Sequence, residues 1–244
     1  EYSNPLGYGT LTPTPTSGLD WTGCSFTLAE LSLPFMDTDF SGVNLTDTVF
    51  SVDVTSEYAG EWSFNSFNFS GATLDGATFE CYSTSDASSG DYSQMDTTSS
   101  MANVDFSATS AVGTTFNGCG MTNVTTYTGD GAKADFSNAT FNGVFNTWYD
   151  IMAGVLDSSH LEGVNFSGAT FTEFTVQSNF IDGANFRDTT FDSPMNEWGW
   201  WHYQTFGNNV LADDFDVATS VGPDFTSATF NNIDVYGNDF RKAN

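Results

Sequence analysis

The spacing of large apolar side chains limits most what this chain can fold into. Leu161, Phe166, Phe171, Val176, Ile181, Phe186 and Phe191 recur at every fifth position. Two residues before several of them stands a small or apolar residue: Val164, Ala169, Ala184. The residue just before is often Asn or Asp and the one after is often Ser, Thr or Asp, as in Val164-Asn165-Phe166-Ser167-Gly168 and Ala184-Asn185-Phe186-Arg187-Asp188. A strand repeats every two residues and a helix every ~3.6, so a period of five is neither. It is a tandem repeat, to be recognised before any secondary structure is assigned. If each unit is a short side followed by a turn, one bulky and one small residue face the interior. Stacking successive turns pairs backbone groups that a single turn leaves open and buries a continuous ladder of Phe. Each buried Phe contributes roughly 1.5–3 kcal/mol of transfer free energy.

A tandem A-(N/D)-(L/F)-(S/T)-x pattern resembles the pentapeptide-repeat family. The resemblance implies an all-β fold, a right-handed quadrilateral β-helix in which each pentad makes one side of a square turn. The large central residue and the small residue two before it would point inward and the other three outward. Some members of that family resemble duplex DNA in shape and charge and bind DNA gyrase, and such binders look like compact dimers joined through a C-terminal helix.

Residues 1–20, with Pro at alternate positions in Thr-Pro-Thr-Pro-Thr, carry no fivefold pattern and read as an extended arm or linker. Residues 21–244 read as the solenoid. Trp21, Phe26 and Leu31 open the series, although Thr27–Leu33 also fits a short capping helix with Thr27 as N-cap and Glu30 behind it. Phe40, Leu45 and Phe50 continue the series, residues 51–63 slip the phase, and Phe64, Phe69, Leu74 and Phe79 restore it. An insertion rich in Ser, Thr and Asp is expected near 80–100 and an aromatic one near 192–209. From Met101 the phase runs through Phe106, Phe116, Met121, Thr126, Gly131, Phe136 and Phe141, with a bulge expected at the weak core residues Thr126 and Gly131. Residues 142–159 keep phase, which favours continuation of the wall over an insertion of a multiple of five. Pattern returns weakly at Val210 and Phe215, then firmly at Phe225, Phe230, Val235 and Phe240. The expectation is nine or ten turns and, at ~4.8 Å between strands, a rod of about 45 Å.

Charge excludes several functions. Four Lys and Arg stand against 31 Asp and Glu, a formal net charge of −27. Such a surface repels nucleic acid and anionic membranes and favours cations, basic partners or plain solubility. No run of about 18 apolar residues is present, so no membrane-spanning helix is expected. The sequence starts at Glu1 with no basic-then-apolar leader, which fits a processed secreted or lumenal protein, or merely a trimmed chain. Of Cys24, Cys81 and Cys119, Cys24 and Cys119 take the small inward position and read as core filler, whereas Cys81 stands at the mouth of an insertion and is the one expected to pair.

No catalytic constellation is legible, and the expectation is a protein that is not an enzyme and holds no cofactor. His160 and His202 have no metal-ligand partners at the right spacing, and no nucleophile elbow, phosphate loop or dinucleotide fingerprint occurs. Paired acids such as Asp213 with Asp214, or Asp37 with Asp39, offer the oxygen ligands Ca²⁺ takes, although acids this common pair by chance. Asn44, Asn68, Asn123, Asn138 and Asn165 are N-x-S/T acceptors for N-glycosylation, and the repeat itself also writes Asn-Phe-Ser. Trp198, Trp200, Trp201 and Tyr203 form an aromatic cluster suited to anchoring a protein or glycan partner.

The leading expectation is therefore a structural or interaction solenoid: a secreted acidic glycoprotein that assembles head to tail into a filament, sheath or surface layer. The last strong pentad lies near the end of the sequence, and an uncovered β-helix end invites addition of a second copy. The DNA-mimicking gyrase binder is the alternative. An ice-binding solenoid ranks last, because the outward Thr show no regular Thr-x-Thr ladder in the sequence.

Overall fold

The computed structural model describes residues 20–29, 38–53, 64–81, 101–127, 132–146, 151–193, 205–211 and 221–244. The expected arm, apart from Asp20, lies outside these residues, as do Trp198, Trp200, Trp201, His202, Tyr203, Asp213 and Asp214.

Among the described residues the strands are β1 (Ser25–Ala29), β2 (Val49–Asp53), β3 (Thr78–Glu80), β4 (Thr115–Asn117), β5 (Gly120–Thr122), β6 (Thr140–Asn142), β7 (Val144–Asn146), β8 (Ile151–Ala153), β9 (Val155–Asp157), β10 (Thr170–Thr172), β11 (Thr175–Gln177), β12 (Thr190–Asp192), β13 (Thr205–Gly207), β14 (Thr229–Asn231) and β15 (Asp234–Tyr236). They stack into a four-sided all-β solenoid. Side A is the eight-stranded parallel sheet β1-β2-β3-β4-β6-β10-β12-β14, and side B is the five-stranded parallel sheet β15-β13-β11-β9-β5. Sides C and D pair through single parallel bridges: Asp39, Asn68, Asp105, Thr125, His160, Phe180 and Val210 on C, and Asp20, Asn44, Thr73, Ser110, Asp135, Asn165, Asn185 and Asp224 on D. Each turn runs D, A, B, C.

The inward positions are those the fivefold period marks. Phe166, Phe171 and Phe186 are 1%, 0% and 0% exposed. On side A the register stacks Phe50, Phe79, Phe116, Phe141, Phe171, Phe191 and Phe230 opposite one another. The residue two before the inward one is buried along most of the wall, and Thr is accommodated there by hydrogen bonding. Thr109, Thr114 and Thr189 donate their hydroxyls to the carbonyls of Phe69, Leu74 and Phe166, at 2.7, 2.7 and 2.9 Å. On side C, Asn179 donates to Asn209 Oδ1 and Asn209 to Asn238 Oδ1, both at 2.9 Å, so a ladder of amides runs inside the wall.

A period of five needs a corner after every side. The residue two after the inward one takes a positive φ at turn after turn, which is why Gly, Asn, Asp and Ser recur there. At Gly168 (φ 70°) a Cβ would also lie 2.6 Å from Asn138 Oδ1 of the adjacent turn.

Several expectations change. Residues 25–29 are a strand in register with Val49–Asp53, not a helix, because the parallel ladder satisfies their backbone along the whole segment. Residues 142–159 do not continue the wall without a break: β7 and β8 form an antiparallel hairpin inserted between Phe141 and Leu156, the wall resumes at β9, and phase is kept because the insertion is a multiple of five. Its base closes at Gly154, where a Cβ would lie 2.6 Å from Gly143 Cα. The aromatic interruption is narrower than 192–209, since Thr205–Gly207 is already wall and Phe206 is buried. Beyond it Val210 faces out and Leu211 faces in, one residue off the expected phase. Side A has eight strands, so the described wall makes eight turns and spans about 34 Å at ~4.8 Å per strand, shorter than expected.

Candidate interaction surface

The insertions share one corner. Four interruptions, 54–63, 82–100, the β7–β8 hairpin and 194–204, follow a side A strand and rejoin the wall at side B. Residues 30–37 join side A to side C in the first turn. Among the described residues, β4 to β5, β10 to β11 and β14 to β15 pass this corner directly. Two shorter interruptions, 128–131 and 212–220, connect side C to side D. At the other two corners the inward residues keep the five-residue step, as in Phe136 to Phe141 and Phe206 to Leu211. Extra residues can leave at a corner without disturbing either ladder, and in solenoids such insertions gather on one edge.

A disulfide reinforces this corner. Cys81, which follows β3, bonds to Cys119, which lies between β4 and β5 one turn on, with Cα atoms 5.0 Å apart. The bond ties the root of the 82–100 insertion to the next turn. Cys81 pairs as expected, while Cys119 is buried but is a disulfide partner rather than core filler. Cys24 is free.

Side D carries an outward ladder. Asn165 donates to Asp135 Oδ1 at 2.8 Å, Asn185 to Asn165 Oδ1 at 2.9 Å, and Asn44 to Asp20 Oδ1 at 3.0 Å. Each Asx also accepts the backbone N–H two residues on, as at Ser137, Ser167 and Arg187. The Thr226 hydroxyl and amide, with Arg187 beside them, hold the Asp224 carboxyl below its ordinary range. Thr22 does the same for Asp20 and Arg241 for Asp239.

The sequence-marked residues land in different places. Asn44, Asn68 and Asn165 are half-buried side positions, and the amide nitrogens of Asn44 and Asn165 already donate to stacked neighbours. Asn123 and Asn138 are exposed corner residues with φ of 54° and 57°. Asn123 donates to Asn103 Oδ1 at 2.6 Å. His160 faces outward, stacks on Phe180 and meets Glu162 at 3.0 Å. Asp39 accepts the Ser41 N–H, and Asp37 lies outside the described residues. Among the described residues no three metal-ligating side chains come together, and no helix is long and apolar enough to cross a membrane.

The last turn is the least covered part of the core. Phe230, Val235, Tyr236 and Phe240 are 36%, 45%, 47% and 44% exposed.

The common corner of the insertions escaped the sequence reading, because their unequal lengths hide which side each one follows. A signal was present. Side A pentads carry Ala-Thr-Phe or Thr-Thr-Phe at 77–79, 114–116, 139–141, 169–171, 189–191 and 228–230, and the interruptions at 82–100, 147–150 and 194–204 each follow such a triplet.

No known family profile matches the chain, and no curated protein matches it. Solved structures do. HetL, a pentapeptide repeat protein involved in heterocyst differentiation regulation from the cyanobacterium Nostoc sp. strain PCC 7120, is 13% identical, with 92% of this chain and 86% of that chain covered and a TM-score of 0.26. Full-length QnrB1, a plasmid-mediated fluoroquinolone resistance protein, is 16% identical, with 91% of each chain covered and a TM-score of 0.23. At such identities and TM-scores the likeness says nothing of partner or role.

Proposed function

We propose that this pentapeptide-repeat solenoid is a non-enzymatic scaffold that holds a row of insertions along one corner and engages a protein or glycan partner there, outside the cell or in an oxidising lumen. The observation that carries the reading is the common corner: four interruptions leave the wall at the same corner, on four of the eight turns. Trp198, Trp200, Trp201 and Tyr203 belong to one of them, which gives the row an aromatic anchor. The Cys81–Cys119 bond at the same corner supports the oxidising compartment. The test replaces Trp198, Trp200, Trp201 and Tyr203 by Ser in the full chain and compares both proteins on a glycan array and against extracellular protein fractions. Binding that survives unchanged overturns the role of the anchor, and free thiols at Cys81 and Cys119 in native material overturn the compartment.

A second reading is end-to-end assembly, favoured by the exposed Phe230, Val235, Tyr236 and Phe240 of the last turn. A solenoid repeats by translation, so a second copy would extend each ladder without new geometry, and a contact of that kind does not close. The net charge of −27 opposes it, so growth should need screening salt or cations. Light scattering over a concentration series at high ionic strength decides, and a strict monomer throughout rejects it. The same charge keeps the gyrase-binding alternative open to a supercoiling assay. The acids are spread over all sides, with Asp39 and Asp105 on C, Asp135 and Asp224 on D, Asp192 on A and Asp157 on B.

A further inference from the structure

Side A presents one rank of threonines that the sequence hides behind unequal insertions. Thr78, Thr115, Thr140, Thr170, Thr190 and Thr229 stand opposite one another on adjacent strands, each just before an inward Phe. We propose that this rank is an ice-binding plane, with the ordered water of the crystal as its ligand.

The spacing is read from the Phe rings beneath. Successive centroids from Phe79 to Phe230 lie 5.1, 5.0, 4.5, 4.9 and 4.8 Å apart, with ring planes tilted by 5°, 8°, 4°, 11° and 9°. Neighbouring turns are therefore related by translation with almost no rotation. A sheet of this many strands normally twists by roughly 20–25° per strand. Here the outward residues form a straight, flat row at the same repeat, close to the repeat of water oxygens along the a axis of hexagonal ice.

The row is also rigid and unengaged. Thr is stiff about χ1, so its methyl and hydroxyl hold fixed directions. None of the six hydroxyls finds a hydrogen-bond partner among the described residues, whereas Asn44, Asn165 and Asn185 on side D are tied into their ladder. The adjacent outward column occupies itself, since Asn142 donates to Asn117 and Asn117 to Glu80, both at 2.9 Å. On the six strands of the rank that column is Glu80, Asn117, Asn142, Thr172, Asp192 and Asn231, so the plane is a single Thr rank and not a Thr-x-Thr lattice.

Periodicity selects the ligand. A small solute touches one or two of these threonines and gains nothing from the rest, whereas a crystal face meets all six at once and gains by multivalency. An anionic polymer is repelled by the overall charge, and a sugar chain would find no aromatic platform on the rank.

The experiment uses the full chain, cooled in water seeded with ice. Partition into the growing crystal and thermal hysteresis are measured for the parent protein, for Thr170→Lys in the middle of the rank and for Thr73→Lys on side D. Melting curves are recorded for all three. The parent and Thr73→Lys should enter the ice, and Thr170→Lys should be largely excluded while melting as the parent does. If Thr170→Lys folds poorly, Thr190→Lys replaces it with the same expectation. Exclusion of the parent from ice overturns the proposal, and so does equal retention or equal loss in the side A and side D variants.

Discussion

Asn165 shows how strictly the outer ladder fixes residue type. Its amide points at Asp135 Oδ1, 2.8 Å away, and its carbonyl accepts from Asn185 at 2.9 Å. Asn165→Asp removes the donor and sets two carboxylates in contact, so it should destabilise the fold by about 1–3 kcal/mol at neutral pH. The loss should shrink on acidification, as one of the pair takes a proton. Urea midpoints of parent and variant across that range check this. The opposite sign holds for Asp20, Asp224 and Asp239, which the fold keeps below their ordinary value of 3.8. The folded state binds protons there more weakly than the unfolded chain. Their stabilisation is complete above that value and is lost as pH falls through and below it. Asp224→Asn keeps an acceptor for Thr226 but drops the charge beside Arg187, so parent and variant should converge in acid.

At the scale of strands, burial decides the cost of a lost ring. Phe141 is fully buried between Phe116 and Phe171, so Phe141→Ala should cost about 3–5 kcal/mol, and Phe230→Ala clearly less because that ring is 36% exposed already. Chemical denaturation of both variants tests the difference. Reducing the Cys81–Cys119 bond, which closes a separation of 38 residues, should remove roughly 4 kcal/mol on the loop-entropy account. Denaturation with and without reductant measures it. The sequence carried the inward ladder well, because a Phe every five residues has one packing solution. It did not carry the hairpin between Phe141 and Leu156, because an insertion of ten residues preserves phase and is silent in a periodicity. The Cys81 pairing was legible from its place at a loop root, but the Cys119 partner was not, because a small inward position suits a free thiol equally well.

The whole molecule balances a dense aromatic interior against an exterior with a formal charge of −27. Self-repulsion of that size works against the compact state and is screened by salt over a Debye length of about 10 Å at 0.1 M. The melting temperature should therefore rise with ionic strength, which calorimetry in a sodium chloride series can follow. Four-sidedness followed from the family that the pentads resemble. The assignment of each interruption to a side was not, because it depends on three-dimensional register that unequal loop lengths conceal. The candidate surface stayed hidden for the same reason, and so did the threonine rank.

The shared corner has a practical consequence. Evolution has spliced segments of several lengths into it while Phe79, Phe116, Phe141 and Phe191 remained stacked around them. The direct passages from Asn117 to Gly120 and from Thr172 to Thr175 are empty seats in that row. Foreign peptides grafted there would be displayed on a stiff ruler, one strand spacing per turn, beside loops the protein already tolerates.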